Sequence, residues 1–219
     1  MAQQLDGPRW GPAAGGPAKQ LVVLLHGLGA DGMDLIDLAP GWGEAVPHAA
    51  FVAPDAPFPC DLGPYGRQWF SVQDRTPARI AAGVGAALPA LDAFLNAELA
   101  RLGLPESAMA IMGFSQGAMM TLACGLRRQP APAVLLAYSG RLAFPLPADL
   151  TNAPPVLLAH GEADDVVPVN GSREACSLLR AQGVAVETVF SPRLGHGLDD
   201  AGLEAGARLL ARVFAPPIV

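Results

Sequence analysis

Charged residues make up only 16% of this 219-residue chain, against roughly 25% in an ordinary soluble domain, and lysine occurs once, at Lys19. So little charge excludes disorder driven by self-repulsion. It also leaves no block of Lys and Arg that could grip a phosphate backbone, and the net charge of −6 disfavours nucleic acid and anionic lipid as partners. Cysteine is sparse as well. Cys60, Cys124 and Cys176 are odd in number and far apart, which argues against a disulfide framework and for a reducing compartment, with the cytoplasm as the expected location. The N-terminus lacks a basic segment followed by an apolar one, so no secretory signal is expected. No H-x-H or H-x-x-E-H pair occurs, which excludes the usual metal-hydrolase patterns; neither a metal nor an organic cofactor is expected. The chain has no internal repeat.

Apolar residues, by contrast, reach 51%, and 25 glycines with 22 prolines make up about a fifth of the chain. The composition is that of a folded protein with many turns, and the length suits a single domain over residues 1–219. Residues 1–18, rich in Gly and Pro, are expected to form a loose lead-in with a short edge strand near Leu5–Trp10. Ser107–Leu126 holds twenty residues without a charge, the length of a membrane span. Its centre is Gly-Phe-Ser-Gln-Gly, too polar for such a span, and no stable membrane insertion is expected.

Continuous apolar runs bounded by turn residues predict buried strands: Gln20–His26, Ala50–Ala53, Ala108–Met112, Ala133–Tyr138, Pro155–His160 and Val184–Phe190. Helical spacing alternates with them. A weak helix is expected over Met33–Val46 and a long one over Arg75–Arg101, bent at Pro89. Others are expected over Ser115 to about Arg128, Gly171–Gln182 and Leu198–Phe214. Ala53–Arg67 reads as loop, followed by an exposed aromatic pair, Trp69-Phe70. Strands alternating with helices predict an α/β fold: a mostly parallel central sheet covered by helices on both faces, with ligands at the carboxyl ends of the strands.

Gly113-Phe114-Ser115-Gln116-Gly117 matches G-x-S-x-G, a pattern weak by itself but strengthened here by its place between a short apolar strand and a helix-capable run. That turn thrusts the serine hydroxyl out at the sheet edge, and glycine at 113 and 117 leaves room for it. A serine nucleophile needs a base. Of the four histidines, His26 opens a Gly-rich loop, His48 lies far upstream and His160 ends a buried strand. His196, in the loop before the last helix, suits the role best. The carboxylate that would orient it lies in Gly161-Glu162-Ala163-Asp164-Asp165, where Glu162, Asp164 and Asp165 are all eligible and spacing does not separate Asp164 from Asp165. The order Ser, Asp, His is that of the α/β-hydrolases. Backbone N–H groups of Gln116, after the nucleophile, and Leu28, in the loop after the first long strand, would hold the oxyanion. The GLGADG run lacks the G-x-G-x-x-G spacing and a following Lys-Ser/Thr, so it does not read as a nucleotide loop.

Taken together, LLHGLGADG, APDAP, Trp69-Phe70, GFSQGA, HGEADDVVP and GHGLDDAG resemble the carboxylesterase and acyl-protein thioesterase family of small α/β-hydrolases, in order and spacing, from about Gln20 to the last helix. The resemblance implies an α/β-hydrolase fold without a large cap domain. It implies Ser115 as nucleophile, His196 as base, Leu28 and Gln116 as oxyanion donors, and Asp164 over Asp165 as the acid. GHGLDD is closer to the bacterial esterase branch, and Ala118 stands where many members have a second Gly. A shallow apolar groove is expected, walled by Leu28, Leu62, Trp69, Phe70 and Val166. The expected activity is hydrolysis of small-molecule carboxylic esters with short to medium acyl chains. Acyl-protein thioesterase or lysophospholipase activity on the same triad is the alternative, and a non-catalytic binding module is the alternative of another class. A dienelactone-hydrolase-like enzyme would carry Cys in place of Ser115. The sequence is compatible with a homodimer.

Overall fold

In the computed structural model, which describes residues 4–215, a seven-stranded sheet runs through the middle of the molecule. Its strands are β1 (Arg9–Trp10), β2 (Gln20–Leu25), β3 (Ala49–Val52), β6 (Met109–Phe114), β7 (Val134–Tyr138), β8 (Val156–Gly161) and β9 (Val186–Ser191). They lie in the order β1-β3-β2-β6-β7-β8-β9, all parallel except the antiparallel edge strand β1. Two two-residue strands, β4 (Phe58–Pro59) and β5 (Arg67–Gln68), pair separately as a small ribbon. The helices are α1 (Gly32–Ile36), α2 (Ala39–Ala45), α3 (Pro77–Leu102), α4 (Gln116–Gly125), α5 (Asn170–Ala181) and α6 (Asp200–Phe214). This is the α/β-hydrolase fold, and no large cap is apparent among the described residues.

Strand β2 shows why both faces are covered. Successive side chains on a strand point to opposite faces. Leu21, Val23 and Leu25 accordingly join one apolar cluster with α3, α4 and α5, whereas Val22 and Leu24 join a second with α1, α2 and α6. The uncharged run Ser107–Leu126 resolves into the central strand β6, a tight turn and the wholly buried helix α4. After β2 the chain moves to β3 on one side and returns as β6 on the other. Such a reversal opens a crevice at the carboxyl ends of the two strands, here following Leu25 and Phe114.

Several local expectations are corrected. The span Met33–Val46 is two short helices, interrupted where Pro40 occupies the first turn of α2. Ala53–Arg67 is not all loop, since it carries β4 and reaches β5. The N-terminal lead-in is not loose over its described part; residues 1–3 lie outside the described residues. Leu5 is buried, Ala53 and Asp55 donate backbone bonds to Pro8 and Asp6, and Arg9 pairs with the buried Glu98 of α3. A charged residue holds this segment, which is why its Gly/Pro-rich composition misleads.

Candidate active site

Ser115 occupies the turn between β6 and α4 with φ 55° and ψ −115°, a positive-φ backbone conformation that L-residues seldom adopt. The flanking glycines make the turn feasible. A Cβ on Gly113 would lie 2.2 Å from the Gly117 carbonyl carbon, and one on Gly117 would lie 1.8 Å from the Leu25 carbonyl oxygen. The Ser115 N–H donates to the Tyr138 carbonyl on β7, fixing the turn against the neighbouring strand.

Three side chains from distant parts of the chain meet here. His196 Nε2 lies 3.0 Å from Ser115 Oγ, and His196 Nδ1 lies 2.7 Å from Asp164 Oδ2. With its proton on Nδ1, held by the carboxylate, the imidazole turns the Nε2 lone pair toward the serine hydroxyl. The ring of Phe114 packs against that of His196 at 4.9 Å between centroids. Asp164 follows the carboxyl end of β8, and its other oxygen accepts the N–H groups of Val166 and Val167. Burial pushes its pKa up, but the hydrogen bonds from His196, Val167 and Val166 outweigh that and hold it below the ordinary carboxylate value. Asp165 is exposed. Of the two acids that spacing leaves equivalent, the structure brings Asp164 to the histidine.

The Leu28 and Gln116 backbone N–H groups make no hydrogen bond among the described residues, and both residues line the cavity at Ser115. Their surroundings reveal supporting residues that the sequence reading missed. The Gln116 side chain accepts from the Trp69 N–H at 3.0 Å and donates to the Phe70 carbonyl at 2.8 Å. Trp69 Nε1 in turn donates to the His26 carbonyl, directly before the Leu28 loop. Backbone bonds join Gly29 N–H to Arg67 O and Arg67 N–H to Ala30 O, so the β4–β5 ribbon braces that loop from outside. His26 braces it from inside: Nδ1 donates to the Gly27 carbonyl and Nε2 accepts from the Ala56 N–H, while burial lowers its pKa and keeps it neutral.

A cavity of about 460 Å³ opens over Ser115, lined by Leu28, Phe70, Phe114, Met119, Val166 and His196 among others. Two expected walls are absent from it. Leu62 is 60% exposed and not among the cavity-lining residues; it lies in the turn between β4 and β5, where its backbone N–H donates to the Cys60 thiol. Trp69 is fully buried behind the loop, because its indole N–H is committed to His26 and its ring lies beside that histidine. The expected exposure of the Trp69-Phe70 pair is therefore corrected for both residues, although Phe70 does line the cavity.

A nucleophile-elbow serine, a histidine and a buried aspartate on an α/β-hydrolase sheet define the architecture of a serine hydrolase. Comparison with known proteins narrows the class: the chain matches the Phospholipase/Carboxylesterase family over residues 12–213, belongs to that family, and is an ester-hydrolysing enzyme. It is 31% identical to esterase YpfH of Escherichia coli over 189 residues, covering 86% of this chain and 80% of that one. Acyl-protein thioesterase 1 of Emericella nidulans is 24% identical over 88% of this chain and 90% of its own. The crystal structure of esterase PE8 superposes with a TM-score of 0.87 at 40% identity, covering 96% of this chain and 100% of that one.

Proposed function

We propose that this enzyme hydrolyses carboxylic esters of short to medium acyl chains through an acyl-enzyme on Ser115. The observation that carries this reading is the unbroken line of contacts from Asp164 through His196 to Ser115, at 2.7 and 3.0 Å, ending at the cavity floor. As Ser115 Oγ bonds to the ester carbonyl carbon, its proton passes to His196 Nε2, and Asp164 stabilises the imidazolium. The carbonyl oxygen becomes an oxyanion, held by the N–H groups of Leu28 and Gln116 beside the N-terminus of α4. Collapse breaks the bond to the alcohol oxygen, which leaves with the proton from His196. Water then attacks the acyl-enzyme, again giving a proton to His196; the acid departs and Ser115 recovers its proton.

The cavity volume of about 460 Å³ lies in the lower part of the roughly 300–1,000 Å³ range of ligand sites, which supports short to medium acyl chains. The relative named acyl-protein thioesterase 1 keeps a thioester substrate as the second reading, since the same groups would attack a thioester carbonyl.

Labelling with a fluorophosphonate and mapping the modified peptide tests the nucleophile, with Ser115 as the expected site. Turnover of p-nitrophenyl esters from acetate to palmitate tests the acyl range, with kcat/KM expected to peak at or below the octanoate. Full activity in Ser115→Ala, or a steady rise to the palmitate, would overturn the corresponding part. Matched oxygen esters and thioesters compared in the same assay separate the two substrate readings.

A further inference from the structure

The thirteen arginines differ in how their charge is met. Seven, Arg9, Arg79, Arg101, Arg128, Arg173, Arg208 and Arg212, stand within 4 Å of a carboxylate. Three more, Arg67, Arg127 and Arg180, donate to backbone carbonyls at 2.9 Å or less. That leaves Arg75, Arg141 and Arg193. Arg75 and Arg193 have no acceptor among the described residues, and Arg141 has a single long contact of 3.4 Å to the carbonyl of its neighbour Leu142. Two of these three, Arg75 and Arg141, line the cavity that contains Ser115.

Arg141 is the more telling of the pair. It is half-buried, two residues past Ser139 at the carboxyl end of β7, and its Cβ packs against Gly171 in the first turn of α5. A half-buried guanidinium has lost part of its hydration, and a planar five-donor fork is normally kept in such a place to hold a carboxylate or phosphate. Asp34 also lines the cavity, but it forms no ion pair with either arginine. The cavity therefore carries two cations against one carboxylate, in a protein whose net charge is −6. Long-range attraction does not explain an anion arriving there; the preference has to be local.

We propose that the cavity selects esters bearing a second, carboxylate group, which Arg141 and Arg75 bind while the ester carbonyl lies at Ser115. The proposal rests on the reading of Ser115 as the nucleophile. The bound carboxylate takes no part in bond making and emerges unchanged. Its source is either the acyl half, as in a half ester of a dicarboxylic acid, or the alcohol half, as in an ester of a hydroxy acid.

Matched substrates followed by pH-stat titration test it. In the acyl arm, monomethyl adipate is compared with methyl hexanoate; in the alcohol arm, 6-acetoxyhexanoate is compared with hexyl acetate. The charged-to-neutral ratio of kcat/KM should exceed ten in one arm, and identify which half carries the group. That ratio should fall at least tenfold in Arg75→Gln/Arg141→Gln, with Arg141→Lys recovering part of it. Each ratio is internal to one preparation, so loss of folded enzyme does not move it. Methyl 6-aminohexanoate, as its cation, should be a poorer substrate of the wild-type enzyme than methyl hexanoate, a check that needs no variant. A ratio below ten in both arms, a ratio indifferent to the double substitution, or a preference for the cation would overturn the proposal. Failure to hydrolyse any of these esters, charged or neutral, or their hydrolysis by Ser115→Ala, would instead strike the reading of the site itself.

Discussion

His160 Nε2 lies 3.1 Å from Asp164 Oδ2, the same carboxylate oxygen that meets His196, and both side chains are wholly buried. The Nε2 atom also lies 2.8 Å from the Val167 carbonyl, so two acceptors surround it and its proton belongs there. On the other side of the ring, Nδ1 lies 2.7 Å from Ser172 Oγ, which in turn lies 2.9 Å from the Gly140 carbonyl. Asp164 is thereby tied to the start of α5 and to the loop that carries Arg141.

Removing His160 should weaken the positioning of Asp164 and also alter how its negative charge is shared among donors. The N–H dipole draws electron density from the carboxylate, so its loss makes Asp164 a stronger partner for a protonated His196. His160→Leu should lower kcat by about tenfold, the equivalent of a buried polar contact of about 1.4 kcal/mol. His160→Gln, which keeps an amide N–H, should recover part of kcat. A purely structural role would lower the melting temperature and leave kcat per folded enzyme unchanged.

Asp164 and Asp165 are chemically alike and adjacent, yet only Asp164 is buried against His196. Asp164→Asn leaves the shape and alters the tautomer that His196 adopts, with an expected loss of about 10³–10⁴ in kcat. Asp165→Asn should stay within about twofold, as surface changes away from a site usually do. Steady-state kinetics on a neutral ester distinguishes them, and the reverse ranking would overturn Asp164 as the acid in favour of Asp165.

On the proposed mechanism Gln116 would serve the site twice, through its backbone N–H and through its side-chain amide. Gln116→Ala keeps the former and deletes the latter, leaving the buried Trp69 N–H and the Phe70 carbonyl without partners. Two such orphaned groups cost about 2–4 kcal/mol, visible as a lower denaturation midpoint. The fall in kcat should be smaller than the roughly 10²–10³ that accompanies loss of an oxyanion donor. A fall beyond that range would place the amide itself among the oxyanion donors.

Glu98 is buried between Arg9 and Arg101. Desolvation raises its pKa, but the hydrogen bonds from Arg9 and Arg101 outweigh it, and the folded value lies below the unfolded one. A carboxylate so shifted contributes stability above its unfolded pKa, and that contribution disappears as pH falls through the folded value. Glu98→Gln should therefore destabilise the protein by about 1–3 kcal/mol near pH 7. Urea titrations at a series of pH values should show the gap between wild type and variant closing below pH 4. A gap independent of pH would mean that packing, not charge, holds the N-terminal segment to α3.

Residues close in sequence announced much of this protein. The apolar runs Gln20–His26 and Pro155–His160 are legible as strands because burial on both faces leaves no room for polar alternation. Ser115 is legible because its turn demands glycine two residues to either side, a constraint written within five positions. Two-residue strands such as β4 and β5 have no periodicity to detect, and the ribbon they form is invisible without the chain folded. Likewise, nothing local distinguishes Leu62 from Phe70 as a cavity wall, or tells that Trp69 would be sealed behind the loop that follows His26.

Local pattern thus made legible the class of fold, the serine in the strand–helix turn and the set of residues eligible to partner it, since strand burial and turn geometry depend on neighbours along the chain. Tertiary packing decided which aspartate meets His196, which arginines lack a counter-ion, and which aromatic side chain faces the cavity. Those properties depend on burial and on partners tens of residues away, such as Asp164 and His196, or Trp69 and Gln116. An ion pair or an exposed face exists only once the sheet has brought its strand ends together.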